Sequence, residues 1–173
     1  MEKFTSEQKA AMDIRRACRH FAMIYFHFCK TLVESFGEER AYELARESVF
    51  NLSLERTDLN RQKAEAAGAE LNLESFAKFN DLPISAWSEW TPEMGGVRCA
   101  YAEQWLTYYD EYPWFKRFAA LYCEVIDTTN IENFSGTLSH RIVKSLVLGD
   151  DHCESEYFES DAVKNGEYTY GKR

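Results

Sequence analysis

Three cysteines, an aspartate and a histidine in the second half of the chain have the residue types of a catalytic or metal-binding cluster. Cys99 ends a short predicted strand, Cys123 lies in a predicted helix, and Cys153 follows His152 after a turn. Cys123 and Asp127 are four residues apart, which places both on one face of a helix. If these groups meet, a thiol, a carboxylate and an imidazole can form an activated nucleophile with its base, or a Cys/His/Asp metal site with an open position.

The segment before Cys153 adds a further carboxylate. Alternation along an extended chain would place Asp150 and His152 on one face and Asp151 and Cys153 on the other. Spacing alone leaves three interpretations open for the cysteines, because strand cysteines are often simply buried: core packing, thiol chemistry and metal binding. No Gly-rich phosphate loop, nucleophile elbow, Cys-x-x-Cys pair or His-Glu-x-x-His motif occurs in the sequence, which argues against the common nucleotide-binding, α/β-hydrolase and zincin classes.

The elements that must position these residues begin with helices. A capping-box pattern at Thr5–Gln8 and apolar residues at three- and four-residue steps predict one long helix up to Gly37, with these residues facing inward: Ile14, Cys18, Phe21, Tyr25, Phe28, Leu32 and Phe36. A second helix is predicted from Glu38 to Ala67, so that the two form a helical hairpin. Asn72 is expected to cap a short third helix over Leu73–Phe79.

The pattern changes after Pro83 to that of strands and short helices. Residues 84–90 and 97–101 predict a β-hairpin, and 102–109 a short helix. Pro113 opens another helix, which we expect to end near residues 127–130. His140–Leu148 and His152–Phe158 predict a second hairpin. The fold class is therefore α+β: an N-terminal long helical hairpin packed on a small antiparallel β-sheet with an inserted helix.

Length and composition limit the possible functions. The 173 residues suffice for one domain, which we place at residues 1–160, with a polar, flexible tail at 161–173. A formal net charge of −9 disfavours nucleic acid and anionic lipid as partners. No apolar run approaches the length of a membrane span or a secretory signal, so we expect a cytoplasmic protein with no membrane partner, and five cysteines in a reducing compartment predict thiols. Apolar residues on several faces of the first helix allow a homodimer.

Three short signatures, in this order, resemble the L-2-amino-thiazoline-4-carboxylic acid hydrolase family. They are Cys99-Ala100-Tyr101-Ala102, then Tyr122-Cys123-Glu124-Val125-Ile126-Asp127, then Gly149-Asp150-Asp151-His152-Cys153. The segments Phe36-Gly37-Glu38-Glu39 and Asn133-Phe134 are also similar, so the resemblance runs from about Phe36 to Phe158. One departure is Ala100, where the family pattern has proline.

The resemblance implies a hydrolase that opens a small cyclic amidine, the aminothiazoline ring, toward a carbamoyl cysteine in bacterial cysteine biosynthesis. This reaction needs an acid, a base and a group that holds the substrate carboxylate. We assign Cys123 or Cys153 as nucleophile or metal ligand, Asp127 as base or amidinium partner, and His152 as proton carrier. Cys99 is a third thiol of the cluster, and a zinc ion is the candidate cofactor if any is used.

Substrate-binding residues complete the hypothesis. We assign Tyr101, Arg98 and Asp150 to substrate binding, with Arg141 and Lys144 as further candidates for the carboxylate. Three alternatives remain: a non-catalytic domain that binds a small molecule in a Trp-rich pocket, a regulatory module that holds zinc, and a diverged biosynthetic family member that acts on another small substrate.

Overall fold

Two long antiparallel helices form the first half of the molecule, as predicted. The computed structural model describes residues 6–83, 86 and 99–170. Helix α1 spans Ser6–Phe36 and helix α2 spans Glu38–Ala66. Gly37 joins them with a φ of +78°, a conformation that residues with a Cβ rarely adopt. The predicted helical hairpin is therefore confirmed.

The buried face of α1 differs from the predicted one. Phe21 and Phe28 are 62% and 67% exposed, whereas Cys18, Ala22 and Phe26 are buried. Apolar residues occur on two neighbouring stripes of this helix, and the core uses the stripe that holds the small side chains. The prediction that Phe21, Phe28 and Phe36 face inward was wrong, whereas Cys18, which was also predicted to face inward, is buried, as is Cys29.

Helix α3 spans Leu73–Phe79 and begins where the sequence predicts. The Asn72 side chain accepts a hydrogen bond from the Ser75 backbone N–H at 3.0 Å, and the Ser75 hydroxyl accepts one from the Asn72 N–H at 3.1 Å. This reciprocal pair satisfies two backbone donors that a helix N-terminus otherwise leaves without partners.

Helix α4 spans Ala100–Leu106 and replaces the end of the predicted first β-hairpin. Residues 99–101 are not a strand, because Cys99 is the N-cap of this helix; residues 84–85 and 87–98 of the predicted hairpin lie outside the described residues. Ala102 and Trp105 are buried, and the Trp105 indole N–H donates to the Ala22 carbonyl oxygen at 3.0 Å. Because Ala102 and Trp105 are three residues apart, a helix buries both on one face, and this packing explains why the strand prediction failed.

Helix α5 spans Phe115–Ser135 and runs past its predicted end at residues 127–130. Asn130 is buried, and its Oδ1 accepts hydrogen bonds from the Ser53 and Thr57 hydroxyls of α2 at 2.6 and 2.7 Å. These tertiary contacts outweigh the weak helix propensity of threonine and asparagine. The helix ends at Gly136, whose φ is +69°.

In the described part of the chain, the sheet has two antiparallel strands, β1 at Leu138–Lys144 and β2 at Glu154–Glu159. The second predicted hairpin is confirmed, but its strands are shorter: a 3-10 turn at Leu146–Leu148 follows β1, and β2 begins two residues later than predicted. The Asp150 carboxylate accepts a hydrogen bond from the Ser145 N–H at 2.7 Å, which closes this connection.

The segment after β2 packs on the domain. Helix α6 spans Asp161–Lys164, and Tyr168 and Tyr170 contact the apolar core. The Thr169 N–H donates to the Glu132 carboxylate of α5 at 2.9 Å. Residues 161–170 therefore make specific contacts where a flexible tail was predicted.

Helix α5 lies at the centre, against α2, α4, the 3-10 turn and β1, and this arrangement confirms the α+β class. The apolar core is formed mainly where α1, α2, α4 and α5 meet. None of the helices in the described part of the chain has the length and apolar character that crossing a membrane requires.

Candidate active site

A cavity of about 290 Å³ lies between α5, the N-terminal end of α4, the sheet and the middle of α2. Its lining brings together most of the residues predicted from the sequence. The polar or reactive side chains that line it include Arg56, Cys99, Tyr101, Tyr122, Cys123, Asp127, Asn130, His140, Lys144, Cys153 and Tyr157.

Asp127 is the carboxylate of this cavity. Asp127 is an exposed residue that lines the cavity, so solvent reaches its carboxylate. Desolvation by the protein packed around the carboxylate raises the pKa of Asp127 to about 7, and the positive charge of Arg56 opposes part of that rise. Among the described residues no group donates a hydrogen bond to this carboxylate. Asp127 can therefore gain or lose a proton near neutral pH.

The three predicted thiols line the same cavity, as the sequence suggested. Burial raises the pKa of Cys99 to about 12, and burial together with the Asp127 charge raises the pKa of Cys123 well above its usual value. Burial also raises the pKa of Cys153, although the Leu146 N–H donates a hydrogen bond to its Sγ at 3.4 Å, which opposes part of the rise. All three are free thiols and, at neutral pH, protonated.

His152 and Asp150 lie away from this cavity. His152 Nδ1 is 2.8 Å from an Asp151 oxygen, and His152 is not among the described residues that line the cavity. Asp150 is exposed and closes the turn at Ser145. The strand alternation from which both were chosen is absent, because β1 ends at Lys144.

The residues predicted to bind the substrate or its carboxylate lie in different places. Tyr101 lines the cavity beside Tyr122, with ring centroids 6.0 Å apart. Arg98 lies outside the described residues. Arg141 is mainly exposed and pairs with Glu156 of β2, whereas Lys144 lines the cavity at its more exposed side.

The imidazole that faces the cavity belongs to His140, which the sequence analysis did not select. It lies on β1 opposite Tyr157, is 3% exposed, and has its Nδ1 3.3 Å from the Thr128 hydroxyl. Burial lowers the pKa of His140 to about 4, so the ring is neutral at physiological pH. Alternation along β1 was the available signal, since it places His140 and Ile142 on the same face.

Arg56 is the second residue that the sequence analysis missed. Arg56 lines the cavity, and its guanidinium makes two hydrogen bonds to Asp81, at 2.8 and 2.7 Å. The charged sequence of α2 suggested a solvated face at this position. The signal was its spacing from Ser53 and Asn60, two inward polar residues three and four positions away on the same helix.

A comparison with protein families gives a direct match. The model of the family described as L-2-amino-thiazoline-4-carboxylic acid hydrolase matches residues 17–157, which is most of the chain. The chain belongs to this family. Neither the curated proteins nor the solved structures compared with the chain match it.

The part matched by the hydrolase family contains every described residue that lines the cavity. Its three signatures meet there: the first at the start of α4, the second within α5, and the third in the connection between β1 and β2. Each contributes one of the three thiols.

The described residues do not form the metal site that the sequence allowed. Among residues 6–83, 86 and 99–170, no three His, Cys, Asp or Glu side chains are arranged so that they could hold one ion. The predicted Cys/His/Asp ligand set is not assembled there because His152 points to Asp151 rather than to the thiols.

Proposed function

We propose that the protein hydrolyses a small cyclic amidine that carries a carboxylate, such as L-2-amino-thiazoline-4-carboxylate. The observation that carries this proposal is the Asp127 carboxyl group, which lines a cavity of substrate size and has a pKa near 7. Its membership of a family named for this reaction supplies the substrate class. A protonated amidine is cationic and planar, and it can donate hydrogen bonds to a carboxylate that has no other donor among the described residues.

Asp127 acts first as a base and then as an acid. Water forms a bond from its oxygen to the amidinium carbon, and one water proton passes to Asp127. The ring C–N bond then breaks, its electron pair stays on nitrogen, and Asp127 returns the proton to that nitrogen. The remaining hydroxyl proton also ends on the nitrogen, so the product carries a carbamoyl group and an ammonium.

The direction of the thiol pKa values favours water over a thiolate as nucleophile. A thiolate next to Asp127 would add a second negative charge to an enclosed space, and burial already raises the pKa of all three thiols. The protonated thiols line the cavity with polarizable groups that do not compete with Asp127 for the proton.

The first experiment is turnover of L-2-amino-thiazoline-4-carboxylate by the purified protein, followed by mass spectrometry. The expected product is one water heavier than the substrate and accumulates beyond the enzyme concentration. Cleavage of the ring C–N bond leaves a primary amine and no free thiol, whereas C–S cleavage would release a thiol that a thiol reagent detects. Folded protein that forms no product contradicts the proposal.

The pH profile tests the role of Asp127. Because the base is the ionised form, kcat/KM should rise with pH through about 7 and then level off, as far as the substrate amidine remains protonated. Replacing Asp127 by Asn should greatly lower kcat/KM, and any remaining activity should not rise with pH near 7.

The thiol mechanism keeps one specific observation in its favour, since each family signature delivers a cysteine to the same cavity. The variants Cys123→Ala and Cys153→Ala separate the two mechanisms. Water attack predicts that both retain measurable turnover, whereas a thiolate nucleophile predicts that one of them is inactive with its circular dichroism spectrum unchanged.

A further inference from the structure

Arg56 presents its positive charge to the cavity from a fixed position on α2. Its side chain is 19% exposed, and the carboxylate of Asp81 binds it through two nearly equal hydrogen bonds. Nε donates to Oδ2 at 2.8 Å and Nη2 donates to Oδ1 at 2.7 Å. Such a bidentate pair fixes the plane of the guanidinium as well as its location.

Asp81 occupies only one of the two hydrogen-bonding edges of this guanidinium. A guanidinium has five N–H donors, and the Nε–Nη2 edge uses two of them. Among the described residues, Nη1 donates to no group, and neither does the second N–H of Nη2. The Nη1–Nη2 edge is therefore a second pair of parallel donors, available on a residue that lines the cavity.

We propose that the Nη1–Nη2 edge of Arg56 binds the substrate carboxylate, while Asp127 binds the amidinium at the other end of the same molecule. This inference rests on the proposed function and specifies its substrate class as zwitterionic heterocycles derived from amino acids. Asp81 is a positioning residue, since it acts by holding the Arg56 edge in place.

Lys144 is the other cationic side chain of the described cavity lining, and it fits this role less well. Its side chain is 42% exposed and its Nζ lies 3.7 Å from Asp151, so solvent screens its charge. An ammonium also lacks the planar pair of donors that matches a carboxylate. The Arg56 side chain is less exposed to solvent than that of Lys144, and its guanidinium has the planar pair of donors that matches a carboxylate.

The test compares two substrates with a set of variants in steady-state kinetics. The substrates are L-2-amino-thiazoline-4-carboxylate and 2-amino-thiazoline, which lacks the carboxylate. Arg56→Gln removes the edge, Arg56→Lys keeps the charge without the planar pair, and Arg40→Gln is the matched control. Arg40 lies on the same helix, is exposed and pairs with Glu43.

Wild-type enzyme should prefer the carboxylate substrate by about 100-fold in kcat/KM, in line with loss of a charged bidentate contact. Arg56→Gln should lower kcat/KM on both substrates, because loss of the Arg56 charge raises the pKa of Asp127 further. The loss should be about 100-fold greater on the carboxylate substrate than on 2-amino-thiazoline, with Arg56→Lys in between. Arg40→Gln should match wild type on both. Equal losses on the two substrates, or no loss, would overturn the assignment, because a structural role for Arg56 affects both alike.

Calorimetric binding of the same two compounds separates this inference from the proposed function. If wild type binds the carboxylate compound without converting it, and Arg56→Gln abolishes only that binding, the Arg56 assignment stands and the hydrolase proposal fails. If wild type does not discriminate between the compounds, or binds neither, the Arg56 assignment fails. Thermal unfolding of each variant verifies that it is folded.

Discussion

Two carboxylates of helix α5 differ in exposure and in partners: Glu132 is buried, whereas Asp127 is exposed at the cavity. Glu132 is 1% exposed and accepts hydrogen bonds from the Ser139 hydroxyl at 2.5 Å and from the backbone N–H and hydroxyl of Thr169. Asp127 faces the cavity, and no described residue donates a hydrogen bond to it. The two residues lie five positions apart on one helix.

The difference shows how hydrogen-bond donors separate a structural carboxylate from a reactive one. Glu132 has donors for both of its oxygens, which compensate the loss of water, and these donors tie β1 and the C-terminal segment to α5. Asp127 lacks such compensation, so its proton affinity rises into the range that is useful for catalysis. Exchange of the side chains for their amides should therefore affect activity at one position and stability at the other.

The largest expected effect is on activity. Asp127→Asn keeps the shape of the side chain and removes its ability to carry the proton, so kcat/KM for the aminothiazoline carboxylate should fall by about 1,000-fold. Glu132→Gln, the matched isosteric change, should alter kcat/KM by less than about threefold, because Glu132 does not line the cavity. Steady-state assays on both variants give the comparison, and equal losses would show that Asp127 has no special chemical role.

The next effect is on stability. Glu132→Ala leaves three donors without an acceptor at a buried position, which should lower the free energy of unfolding by about 3 kcal/mol in urea denaturation. Glu132→Gln should cost about 1 kcal/mol, since the Ser139 and Thr169 hydroxyls can rotate to accept from the amide. If Glu132→Ala were as stable as wild type, the assignment of Glu132 as a structural anchor would be wrong.

A third effect is again on stability, but here the substitution is stabilising and the gain depends on pH. The pKa of Asp127 is raised in the folded state, so ionisation at pH 8 costs folding free energy that protonation at pH 4 does not. Asp127→Asn should therefore stabilise the protein by about 2 kcal/mol at pH 8 and by almost nothing at pH 4. The value for pH 8 is smaller than the pKa shift alone would give, because solvent in the cavity screens the charge of Asp127. Denaturation at the two pH values measures this, and a difference that does not change with pH contradicts the raised pKa.

The same contrast explains which parts of the site could be predicted from the sequence. The i, i+4 spacing of Cys123 and Asp127 is a local property, and helix geometry alone puts both on one face. Arg56 and His140 reach the cavity through the docking of α2 and β1 on α5, which no local pattern encodes. His152 was selected from strand alternation, and that argument failed where a 3-10 turn replaced the strand.

Fold prediction divides in the same way. The α1–α2 hairpin and the Asn72 cap were predictable because capping residues and Gly37 act within a few residues of themselves. The predicted end of α5 at residues 127–130 was wrong, since Asn130 is held in the helix by hydroxyl groups of α2 that are more than seventy positions away in sequence.

The smallest expected effect tests whether the segment after β2 contributes to the difference between Glu132 and Asp127. Thr169→Val removes one hydroxyl donor to Glu132 and keeps the backbone N–H, so it should lower the free energy of unfolding by about 1 kcal/mol. Thr31→Val on the exposed side of α1 is the matched control and should change stability by less than about 0.5 kcal/mol. If the two variants are equally stable, the Thr169 hydroxyl does not contribute to holding Glu132 in solution. The difference between the two carboxylates would then depend on Ser139, on the Thr169 backbone N–H and on burial.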